Sequence, residues 1–321
     1  MTPGDLARRL RRAARGRVEL DFPLAGLTTY RLGGPASLFL EPLDLDDLAA
    51  AAAVLGDDPN REQAPVLPLG RGSNLVVSDE GWRGIVVRLG EGFARIAGSD
   101  GDAHMRAGGG TSLPVLSNWA ARRGYAGMEF AVGVPGSVGG AVRMNAGAHE
   151  GEIADTLVEA SVFRLDALTL ERRPARDLDL AYRTSNLSDA ELVVDASFRL
   201  RRASEPSVRA RTDAYRRYRA ATQPPAVQNA GSVFKNPPGV SAGRLVDAAG
   251  LKGFTVGGAS VSELHANFFI AGASATSQDV FDLVHAVRLR VAERFGVVLE
   301  PEIRFAGRFE AKSSFVVERA P

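Results

Sequence analysis

The order of elements predicts an α+β fold. Strand-like and helix-like segments are mixed without a regular βαβα rhythm, which argues against a doubly wound parallel sheet. The 321 residues exceed one small domain and allow two or three. The 35 glycines gather at 33–34, 70–72, 108–110, 133–140 and 250–258 instead of spreading evenly. Such clusters mark tight turns where backbone approaches something closely. No internal repeat or low-complexity linker is present.

Asp5 to Arg15 reads as a short, Arg-rich amphipathic helix. Leu43 to Leu55 reads as a second, with Asp44, Asp46 and Asp47 suited to its N-terminal end. Val66 to Leu69, Asn74 to Val77 and Gly84 to Leu89 are short strands separated by Gly turns. Phe93 to Ile96 and His104 to Ala107 look like further strands. Ser112 to Arg123 is a helix with a Thr/Ser cap, closed by Gly124. Leu157 to Leu165, Thr169 to Arg172 and Leu192 to Leu200 follow as strands. Arg201 to Pro206, charged and ending in Pro, is the expected domain boundary. Beyond it lie helices over Pro206 to Arg219 and Gly243 to Ala249, and a buried strand over Asn267 to Ala271. In Ser277 to Phe295, Val280, Val284, Val287, Val291 and Phe295 recur at helical spacing. Thr276 and Asp279 provide a capping-box start and Gly296 a stop. Glu302 to Phe305 is the last strand.

Composition narrows the function. Hydrophobic residues at 45% and charged residues at 24% describe an ordinary globular chain. Lys+Arg 39 against Asp+Glu 38 lends no support to a dedicated nucleic-acid binder. With no cysteine, disulfides, thiolate metal sites, Fe–S clusters and a Cys nucleophile are excluded, and with four histidines no metal site is expected. The longest apolar run, Leu48 to Leu55, falls well short of the ~20 residues of a membrane span. Six arginines up to Arg17 precede no apolar stretch, so they are not a secretory signal. A soluble cytoplasmic protein is expected, with no membrane partner. Only three of the basic residues are lysines: Lys235, Lys252 and Lys312.

Three Gly-rich segments could present backbone N–H groups to an anion such as pyrophosphate. They are Gly70-Arg71-Gly72-Ser73-Asn74, Gly108-Gly109-Gly110-Thr111 and Gly133 through Gly140. None matches GxGxxG or a P-loop, so a Rossmann site is unsupported, and each reads equally as a structural turn. The block Gly231-Ser232-Val233-Phe234-Lys235-Asn236-Pro237 places a hydroxyl after Gly, then a cation and an amide. It is either a ligand site or a polar turn. Tyr182 to Ser185 and Leu299 to Arg304 offer charges beside strand-like residues, and alone they read as surface ion-pair partners. His265 and Asn267 flank a buried strand. No G-x-S-x-G elbow exists.

Taken together and in order, these segments become specific. Thr29-Tyr30-Arg31-Leu32-Gly33-Gly34-Pro35-Ala36 is followed by Leu69 to Asn74 and by Gly133 to Gly147 (GVPGSVGGAVRMNAG). Ala230 to Pro237 (AGSVFKNP), Ala242 to His265 and Leu299 to Phe305 complete the series. Over roughly residues 20 to 307 the chain resembles the UDP-N-acetylenolpyruvoylglucosamine reductase family of peptidoglycan precursor synthesis.

That resemblance implies a two-part FAD-binding unit of the vanillyl-alcohol-oxidase (PCMH) type plus a C-terminal α+β substrate-binding domain. The expected boundaries are 1–90 and 91–205 for the FAD subdomains and 206–321 for the substrate domain. It implies reduction of an enolpyruvyl ether on a UDP-sugar to a lactyl ether, with NADPH and FAD as cofactors, in a monomer. By motif match, Arg183 would stabilise the substrate carboxylate, Ser232 would donate the proton, and Glu302 would orient or share charge with the enolate. The FAD contacts implied are Arg31, Gly70, Gly72, Ser73, Asn74, Gly133, Pro135, Gly136, Ser137, Gly139, Gly140, Asn145 and Gly147. Substrate contacts would be Tyr182, Lys235, Asn236 and His265, with Asn236 on the pyrophosphate. A serine hydroxyl is a poor acid, and Lys235 is the cation nearest in sequence that could assist it.

The chemistry explains why such groups are needed. Negative charge builds on the carbon beside the carboxylate, and removing one pre-placed donor of this kind typically costs about 3–4 kcal/mol. A positioned acid contributes about 10²–10⁴ in rate. Two departures from the family pattern stand out. Thr222 replaces a common Lys, for which Arg216 and Arg219 are candidate substitutes. Phe269-Ile270-Ala271-Gly272 also lacks the usual Asn. The short spacing from Arg183 to Ser232 resembles the branch without an extra substrate-binding loop. The alternatives are another flavin oxidoreductase of the same FAD-binding fold and a non-catalytic UDP-sugar-binding paralogue.

Overall fold

A computed structural model describes residues 2–58, 64–98, 102–225 and 228–311. The chain divides into two compact units. The first holds Met1–Phe22, Ala36–Arg71 and Arg83–Arg219; the second holds Pro23–Pro35, Gly72–Trp82 and Ala220–Pro321. The N-terminal motif around Tyr30 thus folds with the C-terminal third of the chain.

In the first unit, helix α1 (Pro3–Ala13) opens on a capping box between Thr2 and Asp5. Helix α2 (Leu45–Gly56) is capped by Asp44. Both pack their apolar faces, Leu6 and Leu10 from one and Leu48, Ala51 and Ala52 from the other, into a core shared with Leu38, Leu40, Ile85 and Val87. Those last four lie on a four-stranded sheet ordered Arg17–Pro23, Pro35–Glu41, Trp82–Arg88, Val66–Leu69, whose last two strands are parallel.

An antiparallel five-stranded sheet forms the other half of this unit. Its order is Thr169–Pro174, Leu157–Arg164, Glu191–Arg199, His104–Gly108, Ile96–Gly98. The central strand Glu191–Arg199 is buried on both faces. Leu192 and Val194 join the core beneath α1 and α2, while Val193, Ala196 and Phe198 face a second core with Leu113, Leu116 and Val138. This explains why Leu192, Val193 and Val194 follow one another with no polar residue between them. Leu113 and Leu116 belong to α3 (Leu113–Ala121), and Val138 opens α4 (Val138–Arg143). Helix α5 (Glu205–Thr222) follows the short strand Arg201–Arg202.

Three local expectations change. Glu91–Phe93 forms a 3-10 turn and the strand starts only at Ile96, because Gly90 and Gly92 favour turning backbone there. Arg201–Arg202 pairs with Tyr125–Ala126, and α5 begins at Glu205 with Pro206 in its first turn, where the missing N–H costs nothing. The Gly-rich segment 133–140 ends in a helix that periodicity did not reveal.

The second unit centres on α7 (Ser277–Phe295). Its capping box Thr276/Asp279 and its left-handed C-cap Gly296 fall where the sequence puts them. Val280, Leu283, Val284, Val287 and Val291 pack with Phe234, Phe269, Val261 and Tyr30. A three-stranded antiparallel sheet, Thr255–Val256, Ala259–Val261, Phe269–Ala271, covers this core together with α6 (Ala242–Ala248). Leu75–Val77 runs parallel to Arg304–Ala306. Tyr30 is 1% exposed and its hydroxyl donates to the Phe269 carbonyl at 3.1 Å. Burial pushes that phenol above its ordinary pKa.

Candidate active site

In the second unit, the segment 232–235 lies between two others. Ser232 bridges Phe268 on one side, and Phe234 bridges Pro301 on the other. The Val233 carbonyl accepts from Glu302 N at 2.7 Å, and Glu300 O accepts from Lys235 N at 2.9 Å. Ser232 and Glu302 are thereby fixed on either side of Val233, a buried residue. Asn74 adds a third strap, donating from Nδ2 to Glu302 O at 3.0 Å while its own carbonyl accepts from Arg304 N at 3.0 Å. Gly231, at φ +74 with open space where a Cβ would point, turns the chain into Ser232.

The residue that sets this segment's register is Asn267. Its Nδ2 donates to Phe234 O at 2.8 Å and its Oδ1 accepts from Phe234 N at 2.9 Å. An amide here mimics a strand neighbour, satisfying both polar groups of a residue that is 1% exposed. An isolated Asn inside Ala266-Asn267-Phe268-Phe269 was the available signal.

Lys235 Nζ pairs with Glu300 Oε1 at 2.7 Å. Asn236 Oδ1 accepts from Ala242 N at 3.0 Å, at the start of α6. His265 Nδ1 accepts from Asn267 N at 3.2 Å, with its ring edge-on to Phe268. Arg31 is exposed at φ +57, next to Thr29, whose N–H donates to Gly72 O at 3.0 Å. Gly72 has φ +60, and a methyl there would collide with Leu27 O and lie 2.7 Å from Thr28 Cα. Ser73 follows it, half-buried.

The first unit holds the guanidinium that the sequence singles out. Ala181 and Thr184 exchange backbone hydrogen bonds of 3.2 and 3.1 Å, leaving Tyr182 and Arg183 at the tip of a two-residue turn. Arg183 has φ +57, a costly conformation for a residue with a Cβ. Arg183 Nη2 donates to Gly147 O at 2.7 Å, and its Cζ lies 4.8 Å from the Tyr182 ring centroid. Asn145, 0% exposed, holds the turn: Nδ2 donates to Ala181 O at 3.1 Å and Oδ1 accepts from Ala154 N at 3.0 Å. Arg143, which the sequence reading passed over, donates to the carbonyls of Leu187, Ser188 and Glu191, and Ser185 Oγ donates back to Arg143 O at 2.7 Å.

The glycine-rich turns of this unit fit a pyrophosphate-bearing cofactor. A methyl on Gly70 would sit 2.5 Å from Ser137 Oγ, so the turn after Val66–Leu69 meets the 133–140 segment with a hydroxyl between them. Ser137 Oγ also accepts from Gly140 N at 3.3 Å, while Gly139 N donates to Gly109 O and Val138 N to Thr111 O, each at 2.8 Å. The 108–111 loop is therefore a brace under the second loop. Pro135 and Gly136 form the bend before Ser137, where Gly136 O accepts from Leu113 N at 2.9 Å. Neither Gly70-Arg71 nor 133–140 contains an acidic side chain. Backbone amides and a hydroxyl without a carboxylate suit an anionic group.

Comparison with known proteins agrees with this donor set. Residues 36–170 match an FAD binding domain family, and residues 223–306 match the C-terminal domain of UDP-N-acetylenolpyruvoylglucosamine reductase. UDP-N-acetylenolpyruvoylglucosamine reductase 2 of Symbiobacterium thermophilum is 46% identical over 305 residues, 94% of this chain and 97% of that protein. The reductase of Sphingopyxis alaskensis is 44% identical over 93% of this chain and 97% of its own length. The crystal structure of the Thermus caldophilus reductase (MurB) superposes with a TM-score of 0.76 at 35% identity, covering 91% of this chain and 99% of that one. The chain belongs to the UDP-N-acetylenolpyruvoylglucosamine reductase family.

Proposed function

We propose that this protein reduces the enolpyruvyl ether of UDP-N-acetylglucosamine enolpyruvate to the lactyl ether of UDP-N-acetylmuramate, with NADPH as reductant. Family membership supports the activity, and the strapped placement of Ser232 and Glu302 on either side of Val233 is the structural observation that carries it. FAD, when bound, supplies the two-electron hydride chemistry.

The chain's own residues then do four things. Glycine-rich turns at Gly70 and 133–140 hold the cofactor through backbone amides and Ser137. Arg183, already displayed on a strained turn, grips the substrate carboxylate as negative charge develops beside it; a pre-placed cation needs no reorganisation at that moment. Ser232 holds the proton destined for the α-carbon, and Glu302 on the adjacent strap orients that proton path. Tyr182, Lys235, Asn236 and His265 contact the UDP-sugar.

Residues 1–90 and 91–205 serve the flavin and 206–321 the substrate in this reading. The protein acts as a cytoplasmic monomer; no helix among the described residues is long and apolar enough to cross a membrane. The test is direct. Protein reconstituted with FAD, given NADPH and the enolpyruvyl UDP-sugar without oxygen, should form a product two mass units heavier than the substrate, one for each NADPH consumed. NADPH consumption with no such product would remove the proposal.

A further inference from the structure

One cation in the first unit stands apart from the groups used above. Arg219 lies on the last turn of α5, half-buried. Of the helix's other arginines, Arg209 pairs with Glu205 at 2.6 Å and Arg216 with Asp213 at 2.6 Å and with Asn118 Oδ1 at 3.2 Å, while Arg211 and Arg217 are exposed to solvent. Arg219 has no acceptor among the described residues, and burial alone disfavours its charge. Favourable contact with the helix C-terminus applies equally to any basic residue there and needs no burial.

Its guanidinium rests on Gly133, where an added methyl would collide with Cδ and Nε and lie 3.2 Å from Cζ. The glycine therefore admits the guanidinium against backbone. One turn earlier on α5, Tyr215 stacks on His149 with ring centroids 4.2 Å apart and planes 4° from parallel; Tyr218 meets the same ring edge-on at 5.4 Å. His149 has φ +50, and its Nε2 is buried without a hydrogen-bond partner. Burial and the nearby Arg219 hold this imidazole toward its neutral form. A half-buried guanidinium and an unpartnered imidazole nitrogen on one patch form an incomplete site: a partly desolvated guanidinium is unfavourable until an anion pairs with it.

We infer that Arg219 and His149 form an anion site beside Gly133 that takes a phosphoryl group of a bound nucleotide. The forked donors of arginine match phosphate oxygens, and the neighbouring 133–140 turn offers no competing carboxylate. The inference rests on the reading of 133–140 as a cofactor turn, and the ligand is FAD or one of the exchanging nucleotides.

The experiment titrates flavin-stripped protein with FAD, UDP and NADP⁺ in separate arms, for wild type, Arg219→Met, Arg219→Lys and His149→Phe. Arg219→Met should weaken one ligand by about 10- to 100-fold, the range for losing a charged hydrogen bond. Arg219→Lys should recover part of that loss, and His149→Phe, which keeps the stack on Tyr215, should lose less. A loss confined to FAD assigns the site to the cofactor; a loss confined to UDP or NADP⁺ assigns it to the exchanging ligand. Ligand-free Arg219→Met should also melt at or above the wild-type temperature, since an unpaired, half-buried charge is removed. Unchanged affinity in all three arms, or a lower melting temperature with binding intact, would overturn the inference. Failure of wild type to take up FAD would instead count against the family function, while the UDP and NADP⁺ arms would still decide the role of Arg219.

Discussion

Replacing Asn267 with Ala tests how the Ser232 segment is held. The side chain is 3% exposed and makes two bonds to one residue, Nδ2 to Phe234 O at 2.8 Å and Oδ1 from Phe234 N at 2.9 Å. Alanine would leave both backbone groups of Phe234, itself 1% exposed, without partners. Each buried unsatisfied group costs about 1–3 kcal/mol, so the pair should cost about 2–6 kcal/mol. The lower end applies if water enters the vacated space. Urea unfolding should show this as a lower midpoint with an unchanged slope. The same change loosens the strap that places Ser232, and a displacement of ~1 Å can cost about 10²-fold in rate. NADPH-driven bleaching of the flavin should therefore survive better than its recovery with the enolpyruvyl UDP-sugar. A variant within about 0.5 kcal/mol of wild type, the range of neutral surface substitutions, with both half-reactions intact would refute the argument.

Three further outcomes are expected. Ser232→Ala should leave flavin reduction by NADPH nearly intact and slow substrate reduction by about 10²–10⁴ in stopped-flow traces; equal slowing of both steps would exclude Ser232 as proton donor. Asn145→Leu should release the Ala181 carbonyl and so relax the strained Arg183 turn, lowering turnover more than FAD affinity, which separate titrations can distinguish. His149 and His285 are both held below the ordinary histidine pKa, by burial first and by Arg219 and Arg288 second, with Asp282 opposing at His285. The unfolded chain therefore binds more protons just below about pH 6.5, so stability is full above that value and is lost as pH falls through it. Melting temperatures across that range should show the loss, and His149→Phe should make it shallower.

The parts of the molecule legible in its sequence are those set by local chemistry. Helix α7 is marked at both ends by Thr276, Asp279 and Gly296, and its apolar spacing places Val280 to Val291 in the core. The strand expected over Leu192 to Leu200 is found at Glu191–Arg199, marked by the apolar triplet Leu192-Val193-Val194 that packs on both faces. Arg17–Pro23 and Pro35–Glu41 carry no clear strand signal of their own, because they pair with each other and with a segment more than forty residues on, and Asp21 and Pro23 dilute the pattern. Helix α4 was hidden by Gly139 and Gly140, residues that lower helix propensity and that packing on Gly109 overrides.

The candidate site divides the same way. Ser232, Glu302 and Arg183 could be named from ordered motifs, since each lies within a short distinctive string. The pairing of Phe234 with both Pro301 and Asn267 could not, because it joins stretches 33 and more residues apart. Arg219 was one of two candidate cations in the sequence; only the ion pair of Arg216 with Asp213 and the contact with Gly133 separate them.

The measurement closest to the central claim is an anaerobic half-reaction. Protein loaded with FAD and bleached by one equivalent of NADPH should regain its full flavin absorbance when the enolpyruvyl UDP-sugar is added, and should stay bleached with UDP-N-acetylglucosamine, which lacks the alkene. Recovery with neither sugar, or equal recovery with both, would contradict the account.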